Sequence, residues 1–458
     1  MTHAVTVPVA PAGSLVGRCW QVWAVAWPII MVSAISLILS ATDTALLGHY
    51  STQALGSAAV AFPIWILFTA IIIPCGSATQ VLVARWHGAG DSTSIVRLAG
   101  VGFVGVVAAG TVLAIAGIAG ASVIVEATVP GRPEGGVDPG VAHDTTSMLR
   151  ILLIGLPFTA VTAHLRGLLG GVGDTRTAAQ VTALVALVNM PLAWVLIFEV
   201  GLGQVGSAIA TTLATAFGAA YLTFRARETL GESIEAAKRA SPEGRRDLVR
   251  EWLRIAWPDS VFGLFSYGAD VALVGLAAGL GAAGLAAFRV MGSAVSVVWV
   301  IIFGLACAIA ILVGQRLGAR DRDGHEAFVR AGAVLMLVGS SVVSVVLASF
   351  PGLFFGVFTD DPEVLDVVSG TVVILPVMTL IMVAELVYAA QLRALGDTRG
   401  IMYVSVLATF CGTVPAAWFF VEVLDRGLWG IYLGLLLGWI IRSSAVWIRF
   451  RRTVQPAR

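Results

Sequence analysis

Twelve separate runs of about 20 apolar residues, divided by short polar stretches, constrain this 458-residue chain more than any other feature. Each run is long enough to cross about 30 Å of hydrocarbon as an α-helix. The first six cover residues 20–42, 55–84, 95–124, 146–169, 178–198 and 206–224. The second six cover 252–276, 284–313, 327–350, 367–390, 401–421 and 428–446. Burial of these runs in a water-soluble core fails on composition. Apolar residues make up 58% of the chain and charged residues 12%, against about 25% charged in a soluble domain. Mean hydropathy is +0.92. The chain reads as an all-α polytopic membrane protein. Runs 55–84 and 284–313 approach thirty residues and are expected to tilt or to extend past the bilayer.

Basic residues give the orientation. Numbering the loops from a cytoplasmic N-terminus puts Arg85, Arg97, Arg166, Arg176, Arg316, Arg320, Arg322, Arg330, Arg393 and Arg399 on the cytoplasmic side. The central segment 225–254 and a tail with Arg442, Arg449, Arg451, Arg452 and Arg458 join them. Arg132, Arg150 and Arg426 fall outside, and Arg289 falls within a run. Glu134, Asp138 and Asp144 make one outer loop acidic, and Asp360, Asp361, Glu363 and Asp366 make another acidic. This excess of positive charge inside predicts both termini in the cytoplasm of an inner-membrane protein. The first seventeen residues lack the basic start of a secretory signal, so the first run is expected to remain a helix. Cys19, Cys75, Cys307 and Cys411 show no ligand spacing and read as small buried residues.

The chain also repeats itself. Trp27-Pro28 recurs as Trp257-Pro258, and Asp43 through Gly48 as Asp270 through Gly275. Val81 through Asp91 recurs as Ile311 through Asp321. Gly173-Asp174-Thr175-Arg176 recurs as Gly396-Asp397-Thr398-Arg399. Pro191, Trp194, Gly203 and Gly206 recur as Pro415, Trp418, Gly427 and Gly430. Six runs per half is an even number, so both halves enter from the same side and form a parallel repeat. The division read from this pattern is a tail 1–19, a first lobe 20–224, a linker 225–251, a second lobe 252–446 and a tail 447–458. Paired halves of this kind point to secondary transport.

At these residues the chain resembles the multidrug and toxic compound extrusion family of antiporters. The resemblance is carried by Pro28 with Asp43-Thr44 and Gly48, by Leu82-Val83 with Gly88-Ala89-Gly90-Asp91, and by Gly173-Asp174-Thr175-Arg176. Leu312-Val313-Gly314-Gln315 with Gly318-Ala319, and Leu392-Arg393 with Gly396-Asp397-Thr398-Arg399, add the second half. It extends from about residue 20 to residue 452. It implies two lobes arranged in a V and export of small organic compounds by alternating access. It also implies coupling to a cation, H+ or possibly Na+, with no other cofactor; two halves in one chain suffice to form a pathway, so the chain is expected to work as a monomer. The first-helix aspartate is similar to that of the prokaryotic DinF-like branch, which implies proton coupling at Asp43. That branch often carries Asn and, four residues later, Asp in the fifth helix. Here Asn189 is followed by Ala193, so a shared pair of aspartates is not expected.

Polar residues inside the runs are the candidate site, because a charge facing lipid costs several kcal/mol and must turn inward. Asp43 is the candidate proton carrier, with Asn189, Gln80 and Thr42 as polar groups of a first-lobe cavity. In the second lobe Asp270 and Arg289 are expected to pair, and Tyr267 joins them as a cavity group. Glu385 reads equally as a structural carboxylate or as a ligand for a cation. Asp259 follows Pro258 and is expected at a helix N-terminus. Pro28 is the candidate hinge, since proline removes a backbone donor. The halves thus repeat in their backbone-bending and loop motifs but differ in polar chemistry, with coupling expected chiefly in the first.

Other classes lack their chemistry here. Ala84 through Asp91 does not match the Gly-x-x-x-Asp-Arg-x-Gly-Arg-Arg signature of major facilitators. There is no phosphate-binding Gly-x-x-x-x-Gly-Lys loop and no His-Glu-x-x-His, so neither an ATP-driven exporter nor a membrane enzyme is indicated. His49, His87, His143, His164 and His325 are scattered at run ends or in loops. Basic residues follow the topology and so do not indicate a nucleic-acid partner. A sodium-coupled exporter and a lipid-linked-intermediate flippase remain as alternatives.

Overall fold

The computed structural model describes residues 14–128, 139–238 and 245–454. Arg132, Glu134, Asp138 and Arg458 of the charge pattern lie outside the described residues, as do the chain ends and 239–244. Every apolar run lies in a helix. The first half has α1 (Leu15–Tyr50), α2 (Thr52–Ala89), α3 (Ser92–Thr128), α4 (Pro139–Ile154 with Leu156–Val172), α5 (Thr175–Glu199) and α6 (Gly203–Lys238). The second half has α7 (Arg245–Gly279), α8 (Gly281–Gly318), α9 (Arg322–Ser349), α10 (Pro362–Ala394), α11 (Thr398–Val423) and α12 (Gly427–Val454). Among the described residues, eleven are single helices able to cross a membrane. The twelfth, α4, is bent by 42° at Gly155, where Pro157 follows in the first turn of the second segment. Such a bend is what a missing backbone donor produces.

The helices outrun the apolar runs. The charged segment read as a linker is helical up to Lys238 and again from Arg245. Its Ala, Glu, Lys and Arg residues are good helix formers, and Arg225 pairs with Glu228 at 2.7 Å along one turn. All four cysteines are free thiols, but none is fully buried: Cys19, Cys75 and Cys307 are half-buried and Cys411 is exposed.

The repeated Gly-Asp motifs turn out to be corners. At each, the helix ends in a paired set of backbone hydrogen bonds and an aspartate caps the next helix. Gly90 N–H donates to His87 O at 3.1 Å and Asp91 N–H to Trp86 O at 2.9 Å. The same pattern joins Gly173 and Asp174 to Gly170 and Leu169, Arg320 and Asp321 to Leu317 and Arg316, and Gly396 and Asp397 to Arg393 and Leu392. The carboxylates of Asp91, Asp174, Asp321 and Asp397 then accept from the N–H groups of Ser94, Thr177, Gly324 and Gly400 at 2.8–3.1 Å. This is the Schellman ending followed at once by an N-cap. The residue in the left-handed region is glycine at three corners, but at the fourth it is Arg320 with φ 57°. A second such exchange pairs Gly201 with Asp425, φ 50°. Both strained positions lie in the second half.

Close approaches repeat as well. A Cβ at Gly206 would lie 2.8 Å from the carbonyl carbon of Leu196, and one at Gly430 would lie 2.9 Å from that of Phe420. Both contacts sit beside π-helical segments, Val195–Glu199 and Phe419–Val423, that follow Pro191 and Pro415.

Packing divides the chain into two compact units, Met31–Ser260 and Met1–Ile30 with Val261–Arg458. The divisions fall two residues after Pro28 and two after Pro258, at equivalent points of the repeat. The sequence boundaries give α1 from residue 20 to one lobe and α7 from residue 252 to the other, whereas packing splits both helices at residues 30 and 260. In the unit holding the second half, Val22, Val25 and Ala26 of α1 join a core with Met291, Ile302 and Ile309. The missing Cβ of Gly304 makes room for Ile30. In the other unit, Trp252 Nε1 of α7 donates to Cys75 O at 3.1 Å and to Thr79 Oγ1 at 3.0 Å, and Ser260 Oγ donates to Ile71 O at 2.8 Å.

Arg320→Gly should stabilise the protein. It relieves a left-handed cost of about 1–2 kcal/mol against about 0.5–1 kcal/mol of added chain entropy. Thermal unfolding in detergent should show a higher Tm, and an unchanged or lower Tm would contradict the corner assignment.

Candidate functional site

In the first unit, α1 carries Asp43 seven residues before its end at Tyr50, buried, with no hydrogen-bond partner for Oδ1. Asn189 of α5 is also buried. Its amide nitrogen donates weakly to Thr211 Oγ1 at 3.4 Å, and its Oδ1 has no donor. The two do not hydrogen-bond to each other among the described residues. Ala193, the position without a carboxylate, is fully buried. A buried acceptor left without a donor costs about 1–3 kcal/mol. Asp43 can meet that demand by taking up a proton, because the protonated carboxyl then brings its own O–H.

Thr42 and Gln80 do not join this pair. The Thr42 hydroxyl donates to Ile38 O of its own helix at 2.9 Å. A Cβ at Gly170 would lie 3.7 Å from Gln80 Oε1, so that side chain sits on the seam between α2 and α4. Gln80 is 28 residues into α2, about 42 Å from its start. Asp43 lies only about 10 Å from the adjoining end of α1. Local sequence placed these groups in apolar helices but could not give their level or facing.

His164 is neither at a helix end nor in a loop. It is fully buried in α4, 2.9 Å from Thr79 Oγ1 through Nδ1 and 3.3 Å from Ala99 O through Nε2. With Trp252 on the same threonine, it forms a polar knot that joins α2, α3, α4 and the start of α7. Asp259 likewise sits fourteen residues into α7 rather than at its N-terminus.

In the second unit, Glu385 of α10 is fully buried and accepts from Arg442 Nε at 2.9 Å. The Arg442 guanidinium lies 4.6 Å over the Trp439 ring and 5.2 Å over Phe262. Charge counting along the sequence assigns Arg442 to the tail. The residue lies twelve positions before the end of α12, inside the last apolar run, and that position was the missed signal. Glu385 thus has its counter-ion built in on Oε1, while its Oε2 is buried without a donor.

The expected Asp270–Arg289 pair is absent, with no contact within 4.0 Å among the described residues. Arg289 is exposed on α8. Asp270 instead lines a cavity of about 140 Å³ with Arg442, Trp439, Thr409 and Thr413. The cavity wall depends on the π-helical segment Ala408–Thr413 of α11 and on Gly438, whose missing Cβ admits the Thr413 hydroxyl. Pro28 lies inside an unbroken α1.

A family model described as MatE matches residues 28–195 and 258–418. The chain belongs to the MatE family. This is a family of transporters, and its two matched stretches begin at Pro28 and Pro258, the repeated prolines beside which packing divides. Probable multidrug resistance protein NorM of Thermotoga maritima is 25% identical over 433 residues, covering 92% of this chain and 89% of that protein. A MOP superfamily transporter from Pyrococcus furiosus shares the fold at a TM-score of 0.84, with 19% identity and 96% of each chain covered. The eukaryotic MATE transporter AtDTX14 gives 0.82 at 18% identity, covering 97% of this chain and 99% of that one. These matches agree with a two-lobe bundle of twelve helices.

Removing one partner of a buried ion pair strands the other charge. Arg442→Met and Glu385→Gln should each destabilise this MatE protein, while the double variant should cost less than their sum. The coupling in thermal unfolding should be on the order of 2 kcal/mol. Additive effects would contradict the pair.

Proposed function

We propose that this protein is a proton-coupled antiporter that exports small organic compounds across the cytoplasmic membrane by alternating access. It acts as a monomer with both termini in the cytoplasm. The observation that carries this reading is the contrast between two buried carboxylates. Glu385 is paired with Arg442, whereas Asp43 is buried with no cation within 4.0 Å of its oxygens and no donor for Oδ1 among the described residues. A proton is the smallest ligand that satisfies such an oxygen. A sodium ion would need several oxygen ligands together, and at the position one turn after Asn189 the chain has Ala193.

In this mechanism the proton enters from outside and neutralises Asp43, which lowers the cost of holding the carboxyl among apolar groups. Protonated and ionised forms then favour different arrangements of α1. A ligand drives such a change only by binding the two states unequally, and the charge of Asp43 supplies that inequality. Pro28 is the place for α1 to bend, since packing passes from one unit to the other two residues later. Compounds of the drug type fit this reading, because the relatives are named as multidrug resistance proteins.

Asp43→Asn keeps the shape of the side chain but cannot gain or lose a proton. In inverted vesicles energised by a pH gradient, it should lower uphill transport of a fluorescent organic cation at least tenfold. Downhill exchange of that cation should persist. Uphill transport at the unaltered rate in Asp43→Asn would sink the proton role.

A further inference from the structure

The geometry points to the cavity of the second unit as a binding site for zwitterionic amino carboxylates, with the ligand ammonium toward Asp270 and its carboxylate toward Arg442. This assignment names a substrate class and rests on the proposed export of small organic compounds.

The cavity holds two charges of opposite sign that do not touch. Arg442 gives only its Nε–H to Glu385. A guanidinium has five N–H donors, and those on its terminal nitrogens make no hydrogen bond among the described residues. The rings of Trp439 and Phe262 hold the guanidinium in place. Asp270, on α7, has no hydrogen bond and no ion pair within 4.0 Å among the described residues, yet it lines the same cavity. Arg442 is half-buried and Asp270 is exposed, so both charges are open to a ligand. They stay apart because one is clamped by Glu385 and two aromatic rings and the other is fixed on a different helix. The gap therefore presents an acceptor on one wall and donors on the other.

A small molecule carrying both an ammonium and a carboxylate meets both demands at once. A simple cation gains Asp270 but faces the guanidinium, and a simple anion gains Arg442 but faces the carboxylate. Selectivity by such repulsion is a common device. A cavity of about 140 Å³ suits a compact ligand, with Trp439 as an apolar wall and Thr409 and Thr413 as further polar groups.

Phenylalanine, phenethylamine and 3-phenylpropionate share one body and differ only in charge, so they separate these cases. Isothermal titration calorimetry on the full chain in nanodiscs should show phenylalanine binding at least tenfold tighter than either relative. Asp270→Asn should weaken phenylalanine at least tenfold, to the level of 3-phenylpropionate. The double variant Glu385→Gln with Arg442→Gln, which leaves no lone buried charge, should weaken it to the level of phenethylamine. Equal binding of phenethylamine and phenylalanine, no binding of any of the three, or phenylalanine binding unchanged in Asp270→Asn would overturn the assignment. The measurement uses no ion gradient. Loss of proton-driven export would therefore leave this result standing, and absent binding in a protein that still exports would remove this assignment alone.

Discussion

Hydrocarbon offers no hydrogen-bond partner, and this constraint shapes every part of the chain. Backbone groups must be satisfied within each segment, which leaves long helices as the solution. Helices that cannot be interrupted must turn within very few residues at their ends. The four aspartate-capped corners do so by closing one helix and capping the next over adjacent residues. The same constraint makes small residues valuable, since Gly206 and Gly430 let backbones meet where any Cβ would collide. It also makes an unsatisfied polar side chain costly enough to demand a purpose.

By that measure the two halves have diverged. They share corners, π-helical segments and close contacts, because these follow from chain geometry. They share the first-helix aspartate, Asp43 and Asp270, but not its surroundings. The first half keeps Asp43 and Asn189 with acceptors that lack donors. The second half neutralises Glu385 with Arg442 and leaves Asp270 facing a cavity. Glu385 and Asp43 look alike as lone carboxylates in apolar runs, and only the partner on α12 separates them. On the proposed reading one half exchanges a proton and the other meets a ligand of mixed charge.

The features legible in the sequence were those set by local pattern. Twelve apolar runs became twelve spans, since hydrophobic length alone decides whether a helix crosses. The repeated motifs were visible, although their meaning as corners was not, because a cap is defined by backbone hydrogen bonds. The bend of α4 at Gly155 fell within one continuous apolar run. Three-dimensional partners were the hardest to read. Arg442 was counted with the tail although it lay in the last run, and Asp270 was matched to Arg289 by depth alone, without regard to facing. His164 was set aside as a residue of a helix end, but Thr79 and Trp252 hold it in the core. The division of α1 and α7 between units likewise depends on packing that no single run encodes.

The central claim is that a proton on Asp43, and not a sodium ion, drives the change between states. Purified protein in proteoliposomes can be given each gradient separately. The account predicts that an inward pH gradient at equal sodium drives uphill transport of an organic substrate, and that a sodium gradient at equal pH does not. Uphill transport driven by sodium alone, with none driven by the pH gradient, would contradict it.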